Sequence, residues 1–161
     1  MRNTASVARS DVYVADAKET AVTDWPQFGV GSEDDRKDHF SDRDGKSFAG
    51  THLILDLWGA SRLDDLQHIE QALRRCVAEA GATLLHIHLH HFTPNGGVSG
   101  VAVLAESHMS VHTWPERNYA AFDVFMCGEA CPECCQQVLT QCFTPERIDV
   151  QRFLRGEVTH G

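Results

Sequence analysis

The chain predicts an α+β domain built on an antiparallel sheet. Three observations carry this: apolar segments of strand character, two stretches of helical periodicity set among them, and short turns between neighbouring strands. The order read along the chain is β-α-β-β-β-α-β. Thr51 to Trp58 is a strand-like apolar run closed by Gly59. Ser61 is a candidate helix cap, after which Leu63, Leu66, Ile69, Leu73, Cys76, Val77 and Ala80 recur at helical spacing until Gly81. Thr83 to Phe92 alternates, with Leu85, Ile87 and Leu89 on one face and His86, His88 and His90 on the other.

Pro94-Asn95-Gly96-Gly97 is a turn signal, and Val98 to Glu106 reads as a buried strand whose small residues permit close packing. Tyr119 to Cys127 is a further strand. Pro132 suits the first turn of a second helix, one side of which carries Cys131, Cys135, Val138, Leu139 and Cys142. Arg147 to Leu154 completes the set. Residues 1–46 lack a sustained apolar period and mix acids with bases. They are expected to form a flexible N-terminal extension, with Trp25-Pro26-Gln27-Phe28 as a docking patch, ahead of a folded domain over 47–161.

Length and composition suit one soluble domain of 161 residues, and no apolar run approaches bilayer-spanning length. The N-terminus has neither the order of a secretory signal nor the acid-poor composition of a transit peptide, so a cytoplasmic location is expected. A net charge of -9 argues against nucleic acid and anionic membranes as partners, since both need a basic surface. Without an export signal, the six cysteines are expected to be reduced thiols rather than a disulfide frame.

Glu106-Ser107-His108 is the segment with the most distinctive chemistry. A serine hydroxyl can attack the preceding carbonyl carbon and move the peptide link from nitrogen to oxygen. Loss of the serine α-proton then expels the ester, leaving dehydroalanine, which hydrolyses to a pyruvoyl group. The sequence of steps needs a base and oxyanion donors; His112 is the obvious base, and Ser99 or its neighbours are candidate donors. Ser107 and His112 are five residues apart, so a regular strand points them to opposite faces. Either the strand bends between them, or His112 serves a serine of a second subunit.

Glu106-Ser107-His108-Met109-Ser110-Val111-His112-Thr113-Trp114-Pro115-Glu116, followed by Cys127-Gly128, closely resembles the self-processing site of the bacterial S-adenosylmethionine decarboxylase proenzymes. The resemblance runs from about Phe48 to the C-terminus. It implies cleavage between 106 and 107, a covalent pyruvoyl cofactor made from Ser107, and neither pyridoxal phosphate nor metal. The pyruvoyl carbonyl would condense with the substrate amine as a Schiff base and accept the electron pair released as carbon dioxide leaves. The resemblance further implies that Cys127 returns the proton, Phe92 stacks on adenine, Ser99 assists processing and Glu116 binds the ribose hydroxyls. It also implies helices on one sheet face and a homodimer forming an α/β/β/α sandwich, with His112 acting across the two-fold axis. The product would be decarboxylated S-adenosylmethionine, the aminopropyl donor for spermidine and other polyamines.

Three departures from the family pattern stand out, the first two of which bear on substrate. Asp56 stands where relatives commonly have glutamate, in or near the pocket; Gly96-Gly97 makes the turn before Ser99 one residue longer than in several relatives; and residues 1–46 have no counterpart in compact members. The competing readings are a sister pyruvoyl enzyme acting on ornithine or arginine, a non-processing paralogue, and a zinc-binding module using His86, His88 and His90 or Cys131, Cys134 and Cys135.

Overall fold

The computed structural model describes residues 40–43 and 45–158. Its elements are β1 (Ser41–Arg43), β2 (Lys46–Phe48), β3 (Gly50–Trp58), α1 (Leu66–Glu79), β4 (Leu84–His91), β5 (Val98–Leu104), β6 (Ser107–Trp114), β7 (Tyr119–Met126), α2 (Pro132–Phe143) and β8 (Arg147–Arg155). β1 and β2 form a small antiparallel hairpin. The other strands make one six-stranded sheet in the order β4-β5-β6-β7-β3-β8, antiparallel throughout.

Alternation decides which face is dry. Leu53, Leu55 and Leu57 of β3, Met109 and Val111 of β6, and Ala120, Phe122 and Val124 of β7 are buried beneath the two helices. From the helices, Ile69, Leu73, Cys76 and Val77 of α1 meet Cys135, Val138, Leu139 and Phe143 of α2 and the same sheet face. The opposite face is not covered by any described element. It carries His52, Asp56 and Trp58 of β3, His108, Ser110, His112 and Trp114 of β6, and Tyr119, Asp123 and Phe125 of β7.

One buried hydroxyl joins the layers. Thr113 accepts the Val98 N–H at 2.8 Å and donates to the Leu63 carbonyl at 2.7 Å, linking β6 to β5 and to the approach to α1. It is 6% exposed, so water cannot replace either bond. Thr113→Val keeps the shape but strands two backbone groups; the expected cost is about 2–4 kcal/mol, measured by denaturant unfolding.

The structure departs from the sequence reading at several points. Ser107–Trp114, which the element order omitted, is a full strand, because Ala105 and Glu106 alone make the turn after β5. Residues 41–43, assigned to the flexible extension, form β1; Ser41 Oγ donates to the Gly128 carbonyl at 2.9 Å. Helix α1 is capped by Asp65, whose carboxylate accepts the His68 N–H, rather than by Ser61, which bonds the Phe143 carbonyl. A register shift between Leu84 and His86 turns Leu85 outward and puts Leu84 with Ile87 and Leu89 against the core. Cys131 and Cys134 are joined as a disulfide, against the expectation of six free thiols. The Trp25–Phe28 patch lies outside the described residues.

Candidate active site

All the predicted site residues except Asp56 fall into two clusters. The first lies where β6 begins. Glu106 closes the β5–β6 turn with φ of 61°, a left-handed conformation that a non-glycine residue adopts at a cost of about 1 kcal/mol or more. The carbonyl between Glu106 and Ser107 thus belongs to a conformationally loaded residue. Ser107 follows at the first position of β6, half-buried, and its Oγ accepts the Cys127 N–H at 3.2 Å. Cys127 itself lies just past β7, brought there by the β6–β7 pairing of His108 with Phe125.

These groups line a cavity of about 300 Å³. Gly81, Ala82 and Thr83, which follow α1, form one wall, and Cys127, Gly128, Glu129 and Ala130 form another. Burial pushes the Cys127 thiol above its ordinary range, and the charge of Glu106 adds to the shift. At neutral pH Cys127 is therefore a protonated thiol beside Ser107, able to donate rather than attack.

The second cluster lies at the other end of β6. His112 Nδ1 and Ser99 Oγ are hydrogen-bonded at 2.8 Å across the β5–β6 ladder, where the two residues pair directly. With Phe92, Gly97, Trp114 and Glu116 they line a cavity of about 250 Å³. Phe92 stands 48% exposed at its rim, in a T-shaped contact with His90, so part of the ring is within reach of a ligand. Glu116 is exposed on a single 3₁₀ turn between β6 and β7. Gly97 is needed here: a Cβ would lie 2.8 Å from the Thr113 carbonyl, so any side chain would part β5 from β6 beside His112.

Within one chain the two clusters do not meet. Ser107 shares the helix-side face of β6 with Met109 and Val111, whereas His112 lies on the open face five residues on, about 17 Å along the strand. The strand does not bend to join them. Asp56 lines neither cavity. It accepts a hydrogen bond from Tyr119 Oη, whose pKa is pushed up to about 12 by burial first and by Asp56 second.

Two open-face groupings escaped the sequence reading. Trp58, Tyr119 and Trp114 stack in series, with centroids 4.3 Å and 5.2 Å apart. His52 and His108 pack with Phe125 near Asp123, and the His108 pKa is lowered by burial and then by the neighbouring His52. The signal for both was the period-2 spacing of β3, β6 and β7. His86, His88 and His90 are exposed on edge strand β4, and no group of three or more His, Cys, Asp or Glu among the described residues is arranged to hold a metal ion. No helix among them is long and apolar enough to cross a membrane.

A two-helix α+β domain with a serine at a strained turn and a thiol beside it is the class of protein defined so far. The family profile for S-adenosylmethionine decarboxylase matches residues 51–156. The chain belongs to that family. It is 47% identical over 110 residues to the S-adenosylmethionine decarboxylase proenzyme of Thermomicrobium roseum, covering 68% of this chain and 95% of that protein. To the proenzyme of Methanococcus maripaludis strain C7 it is 49% identical over 110 residues, covering 66% and 89%. The crystal structure of the adenosylmethionine decarboxylase from Aquifex aeolicus superposes with a TM-score of 0.64 at 33% identity, covering 71% of this chain and 96% of that one.

Proposed function

We propose that this chain is a self-processing, pyruvoyl-dependent enzyme that decarboxylates S-adenosylmethionine to the aminopropyl donor of spermidine synthesis. The observation that carries the proposal is Ser107 Oγ held by the Cys127 N–H behind a left-handed Glu106. The Ser107 hydroxyl attacks the Glu106 carbonyl carbon, converting the peptide bond to an ester. Removal of the Ser107 α-proton breaks the ester, leaving residues 1–106 with a carboxylate and residues 107–161 with a new terminus that hydrolyses to pyruvoyl. The left-handed Glu106 helps by raising the energy of the intact turn.

The cavity around Ser107 suits the resulting group, which supplies an electron sink for decarboxylation. The Cys127 thiol then delivers a proton to the substrate α-carbon. Phe92 offers its ring to the adenine and Glu116 its carboxylate to the ribose hydroxyls, while Ser99 and His112 form the processing pair. Carbon dioxide release from S-adenosylmethionine, ornithine and arginine tests the substrate assignment. Release from the sulfonium substrate alone is expected; release from either basic amino acid at a comparable rate would reassign the activity to a sister decarboxylase.

The separation of the two clusters supports a homodimer. Its open faces would meet about a two-fold axis, as an α/β/β/α sandwich; because Ser107 lies on the helix-side face at the first position of β6, the partner's His112 would reach it around that end of the strand. Val101, Val103, Trp58, Trp114 and Phe153, each at least 36% exposed, supply apolar area on that face. Ser107→Ala and His112→Ala chains should each stay uncut when made alone. Made together, the His112→Ala chain should be cleaved, because its partner lends an imidazole. If the mixture stays uncut, His112 does not act across subunits.

A further inference from the structure

Cys131-Pro132-Glu133-Cys134 opens α2, with Cys131 at the N-cap and Pro132 in the first turn. The two sulfurs are bonded, and their Cα atoms are 5.5 Å apart, a separation that needs no movement of backbone to bridge. Both residues are half-buried and so within reach of thiol reagents. Two other cysteines differ in kind: Cys76 and Cys135 are fully buried, each donating its S–H to the other's carbonyl.

The pair sits at the end of the segment that carries Cys127. Residues 127–130 form one wall of the Ser107 cavity, and Gly81–Thr83 form another. Where these walls converge, the Cys131 N–H donates to the Ala80 carbonyl at 3.0 Å, tying the start of α2 to the end of α1. The Cys134 N–H bonds the Cys131 carbonyl at 3.2 Å, so the bridge braces the residue making that tie. Beyond it, α2 is anchored independently by Cys135, Val138, Leu139 and Phe143 in the core. Opening the bridge would therefore loosen the first turn and the preceding segment without releasing the helix.

We propose that Cys131 and Cys134 are a reversible dithiol–disulfide site, exchanging with a cellular dithiol, whose oxidised form orders residues 127–130 and raises turnover in the Ser107 cavity. A reductant thiolate attacks one sulfur of the bridge and forms a mixed disulfide. The second reductant thiol displaces it and leaves as the reductant's own disulfide, so two electrons and two protons end on Cys131 and Cys134. A thiol released at a helix N-terminus is favoured as thiolate, the form that re-oxidises. The effect on turnover rests on the decarboxylase reading; the effect on order does not.

The test uses the full chain equilibrated in glutathione buffers of graded potential. Alkylation mass shifts report Cys131 and Cys134, amide hydrogen exchange reports residues 127–131, and carbon dioxide release reports turnover. The oxidised form should exchange these amides about tenfold more slowly. Its kcat should be about threefold or more above the reduced form, as tighter placement of Cys127 requires. Cys131→Ser and Cys134→Ser should behave as the reduced protein at every potential. A pair that never oxidises, equal exchange in both forms, or an oxidant response that persists in the double serine variant would each overturn the proposal. Protection without activity from any candidate substrate would instead leave this site standing and remove the decarboxylase reading.

Discussion

Ser107→Ala leaves one uncut chain of 17.9 kDa and no carbon dioxide release from S-adenosylmethionine. Alanine lacks the oxygen that attacks the Glu106 carbonyl, so neither the ester nor the ketone can form. Without the ketone there is no electron sink, and the expected loss is the enzyme's entire acceleration, at least about 10⁶-fold. The variant should still fold. Ser107 Oγ accepts one hydrogen bond, from Cys127 N–H, and losing it costs about 1 kcal/mol. Far-UV circular dichroism should match the wild type, separating absent chemistry from absent structure. Cleavage of the alanine variant would remove Ser107 from the scheme.

Cys127→Ala is expected to leave self-cleavage intact and lower kcat by about 10²–10⁴, the usual contribution of a positioned acid. Some turnovers should instead deliver the proton to the pyruvoyl carbon and destroy the cofactor, so activity should decay during the assay. The pH dependence has a definite sign. Burial and the Glu106 charge both disfavour the thiolate, so the proton donor persists above the ordinary thiol value of about 8.5 and is lost only as pH rises through the raised value. Wild-type kcat should therefore hold from neutrality past that point and then fall, and the variant should lack this alkaline limb. Full-rate turnover by Cys127→Ala would show that another group returns the proton.

The sheet was legible because Thr51–Trp58 and Val98–Glu106 read as apolar strand runs and Thr83–Phe92 as an alternating one, and both helices because their apolar positions recur at helical spacing. The strand from Ser107 to Trp114 was harder to see. A two-residue turn with a left-handed glutamate carries neither glycine nor proline, so β5 and β6 read as one apolar run followed by motif. Leu85 was misplaced because a bulge has no local sequence mark. Glu106, Ser107, His112 and Cys127 stand out as candidates from their order along the chain. Their division into two clusters was half-legible: the odd spacing of Ser107 and His112 forces opposite faces, but only the pairing shows that β6 runs straight between them. The Cys131–Cys134 bridge was missed because composition and compartment argue about disulfides in general, whereas a bridge depends on one local geometry.

Every catalytic step depends on the chain itself cutting the backbone between Glu106 and Ser107, and the intact mass of freshly purified protein tests this directly. Two species are expected, residues 1–106 ending in a carboxylate and residues 107–161 beginning with a pyruvoyl group in place of serine. A single full-length mass that persists on prolonged incubation, with no ketone-reactive terminus, would contradict it.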